Sequence, residues 1–64
     1  MKKFYKAMEA FAENERTESQ ICVNQYFDNN DNIKVVIENW FDKNNGETTR
    51  VIYYTDGTYE THKL

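Results

Sequence analysis

The sequence predicts an α+β fold: an N-terminal helix packed on a four-stranded, mainly antiparallel sheet. Three observations carry this. Residues 1–15 repeat apolar side chains at spacings of three and four. Beyond residue 18 the pattern changes to alternation with period two. Asn45-Gly46 and Asp56-Gly57 then fall between apolar runs, where tight hairpin turns belong.

The helix is expected over 1–15. Phe4, Met8 and Phe11, with Ala7 and Ala12 beside them, make one apolar stripe. Ala, Glu, Met and Lys are good helix formers. Asn14 and the polar run to Thr17 end it. Its charges oppose the helix dipole, with Lys2, Lys3 and Lys6 at the positive end and Glu13 and Glu15 at the negative end. Each such misplacement costs about 0.3–1 kcal/mol at most.

Residues 18–27 read as the first strand, with Ile21, Val23 and Phe27 alternating against Gln20, Cys22 and Asn24. Asp28 to Asn32 is a turn rich in Asn and Asp. Residues 33–42, 47–55 and 58–63 are the second, third and fourth strands. Two-residue turns at both glycines set the expected register. Tyr54 pairs with Tyr59 and Ile52 with Thr61, while Ile37 pairs with Tyr54 and Asn39 with Ile52. One face then carries Val35, Ile37, Phe41, Ile52, Tyr54 and Tyr59, and the helix is expected there. The other carries Val36, Trp40, Val51, Tyr53 and Leu64 among Glu38, Glu60 and His62, too apolar to be merely solvated.

Sixty-four residues make one domain, 1–64, with a thin core. A core of this size rarely supplies more than about 3–5 kcal/mol unaided. Cys22 is the sole cysteine, so no disulfide forms within the chain. One Cys and one His cannot build a zinc site, and no cofactor motif is present. No apolar run approaches a membrane span, and no apolar segment follows Lys2-Lys3 as in a signal peptide. A cytoplasmic protein is expected, a monomer or weak dimer. The abundance of Asn, Lys, Tyr and Ile with no Pro fits an AT-rich genome, such as a low-GC bacterium or its phage.

Catalysis is not expected. His62 is the only histidine and lies on the terminal strand, where a surface position is the plain reading. Cys22 reads as a half-buried strand residue. Gly46 and Gly57 are both turn glycines, so no phosphate-cradling loop exists. Trp40, Tyr53, Tyr54 and Tyr59 could stack bases. Single-strand binders pair such aromatics with a basic groove, whereas here 8 basic residues face 11 acidic ones, a net charge of −3. Tyrosines also favour strands for their own reasons. Direct nucleic-acid binding is therefore not expected, and action by binding a protein is.

The acids themselves are informative. Glu9, Glu13, Glu15 and Glu18 cluster at the helix end and the start of the first strand, with only Arg16 to oppose them. An acidic edge of this kind can imitate a phosphate backbone toward a basic cleft and speed association. A solvated helix end accounts for the same cluster.

Glu18-Ser19-Gln20-Ile21 opens the first strand after the helix, and Val51-Ile52-Tyr53-Tyr54-Thr55-Asp56-Gly57 runs through a closing hairpin to Leu64. That order resembles phage-encoded uracil-DNA glycosylase inhibitors. The resemblance implies a DNA mimic whose Glu-Ser strand edge, here Glu18 and Ser19, enters the enzyme's DNA-binding groove. It also implies an apolar pocket between helix and sheet that receives a side chain of the enzyme. The acidic helix that follows the first strand in that family has no room here. The expected partner-binding residues are Glu13, Glu15, Glu18, Ser19, Gln20 and Ile21, and the expected partner is a host uracil-DNA glycosylase. The alternatives are a phage inhibitor of another host nucleic-acid enzyme, such as a CRISPR nuclease, or a small regulatory module without mimicry.

Overall fold

A computed structural model describes residues 2–30 and 33–64. A single 3-10 turn, Lys2–Phe4, leads into α1 (Tyr5–Asn14). Four strands follow: β1 (Gln20–Asn30), β2 (Ile33–Asp42), β3 (Thr48–Tyr54) and β4 (Tyr59–Lys63). They form one antiparallel sheet in the order β1-β2-β3-β4. The expected α+β class is observed, with the helix against one sheet face. No helix among the described residues is long and apolar enough to cross a membrane.

Helix α1 forms with little help from its ends. Phe4 caps it without a side-chain hydrogen bond, its first turn holds no acid and its last turn no base. Packing must therefore hold it, as is usual for a helix this short. Phe4, Ala7 and Phe11 are the buried members of its stripe, and Met8 is half-buried beside them. Ala12, expected on the stripe, is exposed. The Phe11 ring centroid lies 5.8 Å from Trp40, 6.2 Å from Tyr53 and 5.8 Å from Tyr59. Phe4 meets Phe27 edge-on at 6.2 Å. Such pairs add about 0.5–1.5 kcal/mol beyond the area they bury.

This packing corrects the expected face. The helix covers Val36, Trp40, Val51 and Tyr53, while Val35, Ile37, Phe41, Ile52 and Tyr54 occupy the helix-free side. The helix-free side is crossed by a polar chain, with Asn39 donating to Asn24 at 2.7 Å and Arg50 donating to Asn39 at 3.2 Å. The covered side instead holds the two largest ring systems of the sheet centre, whose polar tips share one internal acceptor.

The turns are longer than two residues, which corrects the register. Gly46 N–H bonds to Asp42 O and Asp42 N–H to Glu47 O, both at 2.8 Å, so residues 43–46 form the β2–β3 loop. Ile37 consequently meets Ile52, and Asn39 meets Arg50. The shift from expectation is two residues, so the relative faces of β2 and β3 survive. In the β3–β4 loop, Tyr54 N–H bonds to Thr58 O at 2.9 Å, leaving residues 55–57 as the loop. Tyr59 then pairs with Tyr53, not Tyr54. That single-residue shift turns Tyr59 to the helix side. The cause is local. Asp42 and Asp56 side chains accept from the N–H two residues on, at 2.8 and 3.0 Å, and Asn45 does the same at 2.9 Å. These bonds favour a turn followed by a left-handed glycine, and Gly46 and Gly57 take φ of 72° and 91°.

Strand β1 is shifted as well. It starts at Gln20, so Glu18 and Ser19 lie in the preceding turn, and it continues through Asp28 into the expected turn. Asp31 and Asn32 of that turn lie outside the described residues. The register slips between Cys22 and Asn24, leaving Val23 as an extra residue and breaking the expected alternation. Cys22 is exposed rather than half-buried. Leu64, expected on a sheet face, lies past β4 and is 68% exposed.

Candidate functional site

A pocket of about 290 Å³ opens between α1 and the sheet. Met8, Phe11 and Ala12 supply its helix wall, with Glu9 and Arg16 at the margin, and Glu38, Trp40 and Tyr53 form its floor. The floor follows from strand geometry. Glu38 and Trp40 are two apart on β2 and so share a face, and β3 lays Val51 and Tyr53 on that same side.

Glu38 is 7% exposed, unusual for an acid, and its carboxylate is well served. Its Oε1 accepts from Trp40 Nε1 at 2.9 Å and from the Tyr53 hydroxyl at 2.6 Å. Its Oε2 accepts from Gln25 Nε2 of β1 at 2.6 Å. Among the described residues no buried side-chain polar atom lacks a partner. Burial, and then the bond to Glu38, push the Tyr53 phenol far above its ordinary range, so it is a donor at any physiological pH. The Arg16 guanidinium lies 4.7 Å from the Trp40 ring centroid. A cation over an indole face contributes about 0.5–1 kcal/mol at an exposed site.

One acid of the helix end, Glu9, lines this pocket. Glu9, Glu13, Glu15 and Glu18 are all exposed. Arg16, the one basic residue between them, is turned onto Trp40. Glu18 joins neither described ion pair, which are His62–Glu60 and Lys63–Glu47. Glu15 approaches the Tyr59 hydroxyl and raises its pKa, which ties the acidic helix end to β4.

The turn bearing Glu18 and Ser19 is braced on three sides. Gln20 N–H bonds to Thr17 O at 3.2 Å, and Gln20 Oε1 accepts from Thr17 N–H at 3.0 Å. The Thr17 and Ser19 hydroxyls are 3.0 Å apart. Ser19 O accepts from Lys43 N–H at 2.9 Å, pinning the turn to the β2–β3 loop. The Asn44 N–H and then the Ser19 hydroxyl hold the Asp42 carboxyl below its ordinary value. Glu18, Ser19, Gln20 and Ile21 are thus contiguous on a fixed corner, with Glu13 and Glu15 at the helix end that leads into it. Ile21 pairs with Phe41 and is 44% exposed.

Sequence reasoning missed the floor of the pocket. The sequence reading sets Glu38 on the face of Val36, Trp40, Val51 and Tyr53 but assigns it no role, and it sits there at an inward strand position two residues from a tryptophan. A charged residue between Val36 and Trp40 in period-two register is the signal that marks it. Among the described residues no group of three or more His, Cys, Asp or Glu could hold a metal. His62 is exposed on β4, 3.2 Å from Glu60. No family model, curated protein or solved structure matches this chain.

Proposed function

We propose that the chain is a stoichiometric protein inhibitor that occupies the DNA-binding groove of a host uracil-DNA glycosylase, in the host cytoplasm, as a mimic of DNA. It acts by binding and turns over no substrate. The observation that supports this reading is the adjacency of two features. Four exposed acids, Glu9, Glu13, Glu15 and Glu18, stand on the helix that walls the pocket and on the segment that follows it, and Glu9 lines the pocket itself beside Met8, Phe11 and Ala12.

Each feature has a defined task in such a complex. Glu18, fixed on the braced turn, accepts hydrogen bonds from donors that otherwise hold a phosphate, and charge-assisted bonds of this kind are the strong ones. The pocket receives one apolar side chain of the enzyme, the sort of central anchor that dominates interface energy. Glu9, Glu13 and Glu15 raise the rate of encounter with a basic groove.

The test is titration into a uracil-excision assay with a bacterial glycosylase. Activity should fall to zero near equimolar inhibitor. Glu18→Ala should weaken the complex by about 2–5 kcal/mol, because the partner's donors are left buried and unpaired. Glu47 lies beside the same corner, so the remote control is Glu60→Ala on β4, at the sheet edge opposite β1, which should alter mainly the association rate. Folding stability should change by no more than about 0.5 kcal/mol in Glu18→Ala, as for other exposed positions. Full activity at a large molar excess of the wild-type protein overturns the proposal for this enzyme.

A further inference from the structure

Among the described residues strand β1 pairs with β2 alone, so its other edge is open along the strand. Edge strands are normally blunted by lysine, proline or brevity. β1 has none of these, and its one irregularity, the bulge at Val23, lies outside the stretch from Asn24 to Asn29. The strand runs eleven residues, holds no proline and no basic residue, and its single charge is Asp28. Ile21, Val23, Tyr26 and Phe27 are 44%, 54%, 44% and 53% exposed. Apolar side chains therefore flank the open edge on both faces of the sheet.

The direction of the backbone groups follows from the ladder. Asp42 N–H bonds to Glu47 of the β2–β3 hairpin, so even-numbered residues of β2 aim their backbone groups at β3 and odd-numbered ones at β1. The β1 partners of the odd residues are Asn24, Tyr26 and Asp28. Gln25, Phe27 and Asn29 alternate with them and aim N–H and C=O outward.

We propose that the β1 edge pairs antiparallel with the β1 edge of a second copy of this chain, about a two-fold axis at Tyr26, giving a continuous eight-stranded sheet. In this register Gln25 and Phe27 of one copy exchange backbone hydrogen bonds with Phe27 and Gln25 of the other. Tyr26 faces Tyr26 on the helix-free side, a favourable cross-strand aromatic pair. Asp28 faces Asn24, so the only charge on the strand does not meet its own copy. A self-complementary strand with a single charge fits a second copy, whereas a strongly basic partner would find only Asp28 to pair with and an acidic one no opposite charge at all. The added burial also supplements a core that is small for independent stability. In this register Cys22 of one copy faces Asn30 of the other, so Glu18 lies beyond the paired segment.

Sedimentation equilibrium of the full chain tests this directly. The mass should rise with concentration to twice 7.7 kDa. Tyr26→Lys places two ammonium groups opposite each other and should raise the dimer dissociation constant about tenfold or more. Its circular dichroism should match wild type. A second variant reads the register itself. Tyr26→Cys in a Cys22→Ser background puts two thiols at a non-hydrogen-bonded pair, where Cα atoms about 4.5 Å apart suit a disulfide. Oxidised glutathione should convert it to a covalent dimer, each disulfide formed consuming one oxidised glutathione and releasing two reduced ones. A monomeric mass up to millimolar concentration overturns the proposal, as does an unweakened Tyr26→Lys dimer or failure of the cysteine variant to cross-link.

Discussion

Removing the Glu38 carboxylate should be the most damaging single polar change in this protein. The carboxylate accepts from three donors, Trp40 Nε1, the Tyr53 hydroxyl and Gln25 Nε2, at 2.9, 2.6 and 2.6 Å. Glu38→Ala leaves the first two donors facing a void beneath α1. A buried donor without a partner costs about 1–3 kcal/mol. The Gln25 amide, on the exposed edge strand, can turn to water and adds little. Two orphaned donors therefore give about 2–6 kcal/mol, reduced toward the lower figure where water from the neighbouring pocket reaches them. Against a total of about 3–5 kcal/mol for a core this size, that is enough to populate the unfolded state at room temperature. Urea denaturation followed by far-ultraviolet circular dichroism measures it, with the m-value held constant to confirm a stability change. Glu38→Gln keeps one carbonyl oxygen for the Trp40 and Tyr53 donors and should fall between wild type and alanine. A Glu38→Ala midpoint that implies a loss under about 0.5 kcal/mol refutes the reasoning, since that is the range of ordinary surface changes.

Two further outcomes follow from the same geometry. Folding favours the protonated Tyr53 phenol, so its contribution is complete below pH 10, the ordinary phenol value, and is lost as pH rises beyond it. Alkaline unfolding should steepen above pH 10, and Tyr53→Phe should remove most of that dependence, as read by stability curves at successive pH values. Gly57→Ala should cost about 1–2 kcal/mol, the price of a left-handed conformation for an L-residue. It should exceed Gly46→Ala, because a Cβ at Gly57 falls 2.9 Å from Lys6 Cδ whereas none is obstructed at Gly46. Thermal melts of the two variants compare them.

The class of fold was legible because each element carries its own period. The Phe4-Met8-Phe11 stripe and the alternation of Val36, Glu38 and Trp40 do not depend on distant contacts. The register was not legible, because it depends on turn length. Asn45-Gly46 and Asp56-Gly57 fit a two-residue turn and a longer turn with a left-handed glycine equally well by residue type. The choice is made by Asp42, Asn45 and Asp56 bonding the backbone two residues on. The helix face was misread for a related reason. Counting apolar residues favoured the side of Ile37, Ile52 and Tyr54, but Tyr59 had been placed there by the wrong register. With Tyr59 on the side of Trp40 and Tyr53, and Phe27 paired with Val36 on that same side, it offers Phe4 and Phe11 four aromatic partners. The acidic corner was readable as composition, whereas its bracing by Lys43 and Thr17 was not, since the first of these contacts joins residues far apart in sequence.

The pocket and the core share their residues, and this constrains how binding can be separated from folding. Phe11, Trp40 and Tyr53 are at once the floor or wall of the pocket and the centre of the hydrophobic cluster. A change at any of them alters stability before it alters recognition, so loss of binding there carries no information about contact. The margin behaves differently. Glu9, Ala12 and Arg16 are exposed and line the same opening. Arg16 is the most telling of them, because its guanidinium covers the Trp40 face in the free protein. Any side chain that enters deeply must displace it, exchanging a cation over an indole for apolar contact with Met8 and Trp40. The entering group is therefore selected by two opposed terms. An apolar side chain gains buried area at the expense of one cation–π contact. A cationic one keeps that contact, and it also meets Glu9 at the margin and the fully bonded Glu38 beneath.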